Sequence, residues 1–217
     1  ADTWLAAPKA TTASAIASVP ADSAGGDWLY LSSGTWSLLG VEVDEPVLTE
    51  RAAFYNVTNE GGVGGKIRLL KNIAGLWLLQ ECRREWTKRG TELDYATLTA
   101  MASEAHGLEA ILDLEDPIFA TTGEMPEKIL AYCRRTGQRE PLNPSHFTRV
   151  ILESLAKSYA KYVKVFEELT GKQFRVLHIV GGGSQNDLLN QLAADATGLK
   201  VMAGPVEATA LGNVMTQ

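Results

Sequence analysis

From Phe147 to Leu169 the apolar side chains recur at steps of three and four, through Val150, Ile151, Leu155, Tyr159, Tyr162 and Phe166, which lays one apolar stripe along a long helix. Ser145 stands where an N-cap would, and Gly171 follows the last apolar position, so both ends are marked. What comes next narrows the fold further. Phe174 to Val180 reads as a buried strand, Gly181-Gly182-Gly183 turns the chain, Asn186 to Thr197 reads as a helix closed by Gly198, and Lys200 to Ala203 reads as another strand. A last helix is expected from about Glu207. Strand, glycine turn, helix, strand is the grammar of an α/β fold with a parallel or mixed sheet covered by helices.

The first half is read the same way. Residues 1–26, rich in Ala, Ser, Thr and Pro, read as loop. Trp28 to Ser32 is the first firm strand, Ser33-Gly34-Thr35 supplies turn chemistry, and Trp36 to Val43 returns as the second arm of a hairpin. The Gly-dense stretch from Thr58 to Gly65 carries too few apolar side chains for a core element and is expected to be a surface loop. From Asn72 the pattern turns helical, with Ile73, Leu76, Trp77, Leu79 and Trp86 near helical spacing until Gly90. Between Thr91 and Pro144 no period is sustained.

Composition removes several function classes. A net charge of -6 with no basic stripe argues against a nucleic-acid surface, which needs clustered Lys and Arg. The two cysteines, Cys82 and Cys133, lack CxxC spacing, so neither a disulfide framework nor a thiolate metal site is expected, and a reducing, cytoplasmic setting fits best. Apolar runs such as Ile73 to Leu79 fall short of the ~20 residues that span a bilayer, and no basic-then-apolar leader opens the chain. Neither membrane nor secretion is expected. The sequence begins with Ala1 and closes on Gln217, and it reads as a piece of something larger.

Among single residues, His106, His146 and His178 have no second ligand four residues on, and His178 inside a strand reads as a core residue. No metal site is expected. Trp28, Trp36, Trp77 and Trp86 read as core packing. Asp113, Glu115 and Asp116, just before Pro117, read as a solvated turn.

Three places could carry chemistry. The turn Gly181-Gly182-Gly183-Ser184-Gln185-Asn186 joins a strand to a helix start, where missing Cβ atoms and outward N–H groups would admit a nucleotide, although a plain tight turn explains it as well. It matches neither GxGxxG nor the P-loop, and Gly65-Lys66 is followed by Ile67 rather than Ser or Thr. Ser32-Ser33-Gly34-Thr35-Trp36-Ser37 offers hydroxyls and N–H groups able to cup a phosphate. Asn72 and Gln80, on one expected helix, lie about 80° apart in projection and could share a ligand-facing side.

The order and wording of these segments together resemble one family. They run Leu31-Ser32-Ser33-Gly34-Thr35-Trp36-Ser37, Thr58-Asn59-Glu60-Gly61-Gly62, Leu70 to Gln80, Tyr132 to Gln138, His178 to Asn186, and Gly204-Pro205-Val206-Glu207-Ala208-Thr209-Ala210-Leu211-Gly212-Asn213. The chain is similar to the carboxyl-terminal half of the FGGY carbohydrate kinases, and its wording is nearer to the rhamnulokinases than to the xylulose or glycerol kinases. The resemblance implies a ribonuclease H-like domain of the actin, Hsp70 and sugar kinase superfamily, with a mixed sheet flanked by helices. Residues 28–217 would form the nucleotide-binding domain, with a helical insertion around 84–172, and residues 1–27 would lead from an amino-terminal domain absent from this sequence.

By that resemblance Gly34 and Thr35 would meet the ATP phosphates, Gln80 would contact the nucleotide, and Gly181, Gly182, Gly183 and Asn186 would flank the adenosine. Asn72 and Thr12 would touch the sugar. The reaction implied is transfer of the γ-phosphoryl group of ATP, with Mg²⁺, to the 1-hydroxyl of L-rhamnulose or a similar ketose, a carboxylate accepting the proton. The family pattern has His-Asp-Thr where this chain reads Ala10-Thr11-Thr12, so Thr11 stands in place of the expected base and the catalytic residue is unknown. With the amino-terminal domain and its half of the cleft absent from this sequence, the isolated chain is expected to be inactive as a kinase. Other readings are a non-catalytic nucleotide-binding or interaction module of the same fold, or a kinase of the xylulose or fucose type. The face that would meet the missing domain could favour self-association.

Overall fold

A computed structural model describes residues 26–105 and 108–206, and the account below concerns those residues. In chain order they form β1 (Trp28–Ser33), β2 (Ser37–Val43), α1 (Glu50–Phe54), β3 (Thr58–Gly61), β4 (Ile67–Ile73), α2 (Trp77–Lys88), α3 (Tyr95–Ser103), α4 (Met125–Arg135), α5 (Pro144–Thr170), β5 (Val176–Val180), α6 (Asp187–Thr197) and β6 (Lys200–Ala203). The helix expected from Glu207 lies outside the described residues, as do Thr11, Thr12 and His106.

Six strands make one mixed sheet in the order β3-β4-β2-β1-β5-β6. The β1–β2 hairpin is antiparallel and closes on the pair Ser33–Ser37, and β2 is antiparallel to β4, so β4 runs in the same direction as β1. β5 lies parallel to β1, with Ser32 opposite Val180, and β6 lies parallel to β5. The carboxyl ends of β1, β4, β5 and β6 therefore share one edge of the sheet, the edge at which open α/β sheets present ligand sites. Leu29, Leu31, Leu39 and Leu69 of the sheet are fully buried together with Tyr159, Tyr162 and Phe166 of α5.

The expected long helix is α5, and Gly171 ends it in the left-handed conformation with its N–H donated to Glu167 O. Its start is corrected. Asn143, not Ser145, is the N-cap, accepting from His146 N, and Pro144 takes the first helical position, where a missing N–H costs nothing. Ser145 instead donates to Met101 O and so ties α5 to the end of α3.

Two further expectations fail, for identifiable reasons. Thr58–Gly61 is an edge strand, not a loop: its backbone pairs with β4, and the nearly buried Arg68 of β4 donates to Glu60 Oε2 and Gly61 O, which supplies what its side chains lack in apolar area. Asn72 belongs to β4, where it pairs with Leu38, and the helix begins only at Trp77. Over so short a span, periods of two and of three to four share Ile73, and the break between strand and helix is made by Gly75, with φ 55°.

Candidate functional site

The first bend, between β1 and β2, is folded by its own backbone and gripped from two sides. Gly34 N donates to Trp36 O at 3.0 Å. Helix α2 starts without a side-chain cap, and its orphan N–H groups are met by the bend instead: Leu76 N donates to Gly34 O and Trp77 N to Thr35 O, both at 3.0 Å. That docking brings the side chain of Gln80 to the exposed Thr35, whose hydroxyl donates to Gln80 Oε1 at 3.3 Å. Gly75 makes the approach possible, because a Cβ there would lie 2.6 Å from Thr35 O and 2.7 Å from Ser37 N.

The second bend follows β5. Gly181 has φ 83°, and a Cβ there would stand 2.9 Å from Ser33 O, while one on Gly183 would stand 2.0 Å from Ser33 Oγ. Gly182, between them, is exposed and has nothing within 4 Å of its missing Cβ. Ser184 donates through its hydroxyl and its N–H to Gly181 O, closing the bend, and Gly181 N donates to Pro205 O. The two bends thus follow the carboxyl ends of adjacent parallel strands, and Thr35 and Gly182 are both exposed.

Sequence-derived candidates do not all fall together. Thr35 and Gln80 touch with Gly34 next to them, the Gly181-Gly182-Gly183 turn packs on Ser33 just before that bend, and Asn186 caps α6. The Asn186 side chain is engaged at both ends inside the protein, accepting from Leu189 N and donating to Thr99 Oγ1. Asn72 is a strand residue, so the expected helix face shared with Gln80 does not exist. Its exposed side chain lines a cavity of about 270 Å³ with Trp36, Trp77, Ser158 and Glu115. Ser33 and Ser37 turn their side chains into the protein interior rather than toward a phosphate. Trp36 is not core packing: it is 53 % exposed and stacks on Trp77 with centroids 6.3 Å apart. His178 is buried as expected, edge-on to Trp28 at 5.5 Å.

The acidic turn before Pro117 is also more than a solvated loop. Glu115 accepts from Lys71 Nζ at 2.6 Å, Lys161 Nζ at 2.9 Å and Tyr162 OH at 2.8 Å, and Asp116 accepts from Ile118 N and pairs with Arg135. Burial alone would raise the Glu115 carboxyl, yet these hydrogen bonds and the Lys71 charge outweigh it and hold it at about 2. An unfolded glutamate titrates near ~4.3, so this contribution to stability is complete above about pH 5 and lost as pH falls toward 2. Replacing Glu115 by Ala leaves the Lys71 ammonium, 4 % exposed, with Tyr55 O and the Tyr162 ring as partners. The expected loss, read by urea titration at neutral pH, is about 1–3 kcal/mol, below the range for a fully buried pair because Glu115 is itself 44 % exposed.

Among the described residues no group of three His, Cys, Asp or Glu side chains is placed to hold a metal ion, and no helix is long and apolar enough to cross a membrane.

The profile of the FGGY family of carbohydrate kinases, C-terminal domain, matches residues 29–217. A rhamnulokinase of Bacteroides thetaiotaomicron is 47% identical over 206 residues, which cover 95% of this chain and 41% of that protein. One from Halalkalibacterium halodurans is 43% identical, covering 95% and 43%. Among solved structures, xylulose kinase from Rhodospirillum rubrum superposes with a TM-score of 0.61 at 17% identity, covering 95% of this chain and 40% of that one. Plasmodium falciparum glycerol kinase with ADP gives 0.62 at 18%, covering 93% and 40%. These two likenesses establish the fold, the actin-like α/β domain of the sugar kinases. The chain spans about two fifths of the length of the relatives it matches.

Proposed function

We propose that this chain, which belongs to the FGGY family of carbohydrate kinases as its C-terminal domain, supplies the nucleotide-holding half of a cleft in which ATP phosphorylates the 1-hydroxyl of L-rhamnulose. The observation that carries the proposal is the pairing of two open backbone bends, at Thr35 and at Gly182, on the carboxyl ends of adjacent parallel strands. The choice of sugar is supported by the names of the relatives at 43–47% identity.

In this reading Gly34 and Thr35 present backbone and hydroxyl to the phosphates, and Gln80 orients the Thr35 hydroxyl. Gly182, bare of side chain and of neighbours, lets the adenosine lie against the backbone between Gly181 and Gly183, with Asn186 holding the start of α6 beneath it. Phosphoryl transfer asks the protein mainly for positioning and charge stabilisation. Asn72 and, outside the described residues, Thr12 are assigned to the sugar by the family resemblance. Mg²⁺ would be carried by the nucleotide phosphates, where it would neutralise charge on the transferred group. The buried, unpaired Cys82 and Cys133 suit a reducing compartment, the cytoplasm. The helices within residues 84–172 are read as an insertion in the domain, and self-association would use apolar side chains left in solvent, such as Phe54 and Leu48.

A structure with an ATP analogue and Mg²⁺ tests the assignment: adenine against the Gly181 to Gly183 bend and phosphates at Thr35 support it, and a nucleotide bound elsewhere removes it. Half of the cleft is not encoded in these 217 residues. An ADP-release assay on the isolated chain with L-rhamnulose should show no turnover, and robust turnover would contradict the two-domain reading. Thr11 in the place of the expected carboxylate favours a second reading, a module that binds nucleotide without turning it over.

A further inference from the structure

The carboxyl ends of β1 and the start of β2 carry serines whose hydroxyls do not face the open edge. Ser33 and Ser37 are cross-strand partners, so their side chains leave the sheet on the same face, and both are buried. On that face lies Tyr159 of α5, fully buried, with its hydroxyl 2.8 Å from Ser37 Oγ. Ser33 Oγ makes no hydrogen bond of its own, and Ser33 is tied to the phenol through its cross-strand partner Ser37. Burial pushes the Tyr159 hydroxyl up to about 12, with the two serines opposing, so it stays a neutral group at physiological pH.

Ser33 and Ser37 are also the last residues before and the first after the Gly34-Thr35-Trp36 bend, and Ser33 is the residue on which Gly181 and Gly183 pack. One phenol thus holds the second foot of the first bend from below and, through the Ser33–Ser37 pair, the first. A buried hydroxyl is costly unless it is hydrogen-bonded, so a phenol on this apolar helix face is retained for the bond it makes to Ser37.

We propose that Tyr159 is a positioning residue for the phosphate-facing bend: its hydroxyl holds Ser37, and with it the Ser33–Ser37 pair that closes the hairpin, and so the placement of the Thr35 backbone and side chain. The proposal rests on the nucleotide reading given above and goes beyond it, since Tyr159 itself touches no ligand. Its effect falls on the phosphates and not on the base, because adenosine would rest against Gly182, whose surroundings Tyr159 does not contact through any hydrogen bond.

The test is a pair of titrations of the chain, with Mg²⁺-ATP and with adenosine, in the native protein, in Tyr159→Phe and in Ser37→Ala. Tyr159→Phe keeps the ring and removes the hydroxyl, and Ser37→Ala removes the partner, so the two reach the same loss by different routes. The expected result is an affinity for ATP lowered about tenfold in each variant, with adenosine affinity unchanged. A merely structural role would lower the melting temperature and leave the ratio of the two affinities where it was. An unchanged ratio in a folded variant of either kind overturns the proposal while leaving the nucleotide reading intact. Native chain that binds neither compound overturns both. Should Tyr159→Phe fail to fold, Ser37→Ala alone decides, because the native Tyr159 ring still fills its place.

Discussion

Gly75→Ala is expected to lower the stability of the chain by about 3 kcal/mol and to weaken ATP binding on the order of tenfold. Two costs add. A non-glycine residue at φ 55° pays about 1–2 kcal/mol for the left-handed conformation, and the new Cβ would stand 2.6 Å from both Thr35 O and Trp36 C. Those atoms are backbone and cannot swing aside, so the bend itself must move, and with it the carbonyls that cap α2. For a domain of this size the loss corresponds to a fall of about 6–12 °C in melting temperature by calorimetry. Gly171→Ala is the control: it has φ 67° but nothing within 4 Å, so about 1 kcal/mol is expected and ATP binding should not change.

The second large effect separates two glycines that are adjacent in sequence. Gly183→Ala drives a Cβ to 2.0 Å from Ser33 Oγ and 2.7 Å from Ser33 Cβ, and Ser33 is buried with its backbone O only 3.0 Å from the same Cβ. About 2–3 kcal/mol of destabilisation is expected, as for an overpacked core, together with loss of ATP binding. Ser33→Gly in the same chain removes the clashing atoms and should restore part of the stability, a coupling that a double-mutant cycle reads directly. Gly182→Ala meets open space, so its stability should stay within about 0.5 kcal/mol of native, yet adenosine affinity should fall because the methyl stands where the base would lie. Equal stability losses at 182 and 183 would contradict the geometry.

What the sequence disclosed was local. The unit from β5 through α6 to β6 is written in a β-branched run, a glycine turn, an amphipathic helix and a glycine stop, each readable within a few residues of itself, and the β1–β2 hairpin likewise. Misreadings arose where a partner distant in the chain decides. Thr58–Gly61 becomes a strand only because β4 offers a free edge and Arg68 reaches across to Glu60. β4, which holds Asn72, ends at Ile73 because Gly75 must bend under Thr35, forty residues earlier in the chain, and no local period records that approach. Glu115 looks like a solvated acid until Lys71, 44 residues away, is folded beneath it, and Tyr159 looks like one more apolar stripe position until Ser37, 122 residues away, meets its hydroxyl.

The candidate site followed the same rule. Its glycines were visible as glycines, and their order along the chain matched a family. Their contacts were not visible, since Ser33, which packs against Gly181 and Gly183, and Gln80, which meets Thr35, reach them only through the sheet and the docking of α2. The Asn186 amide caps α6 and ties it to α3 through Thr99, 87 residues away, a contact that the glycine turn by itself does not record.

The most direct test of the central claim is a titration of the isotopically labelled chain with a non-hydrolysable ATP analogue and Mg²⁺, following backbone amide resonances. If two bends grasp one nucleotide, the Thr35 and Gly182 signals must shift together and saturate at the same ligand concentration. Shifts confined to one bend, or two different midpoints, would mean that no single triphosphate joins them.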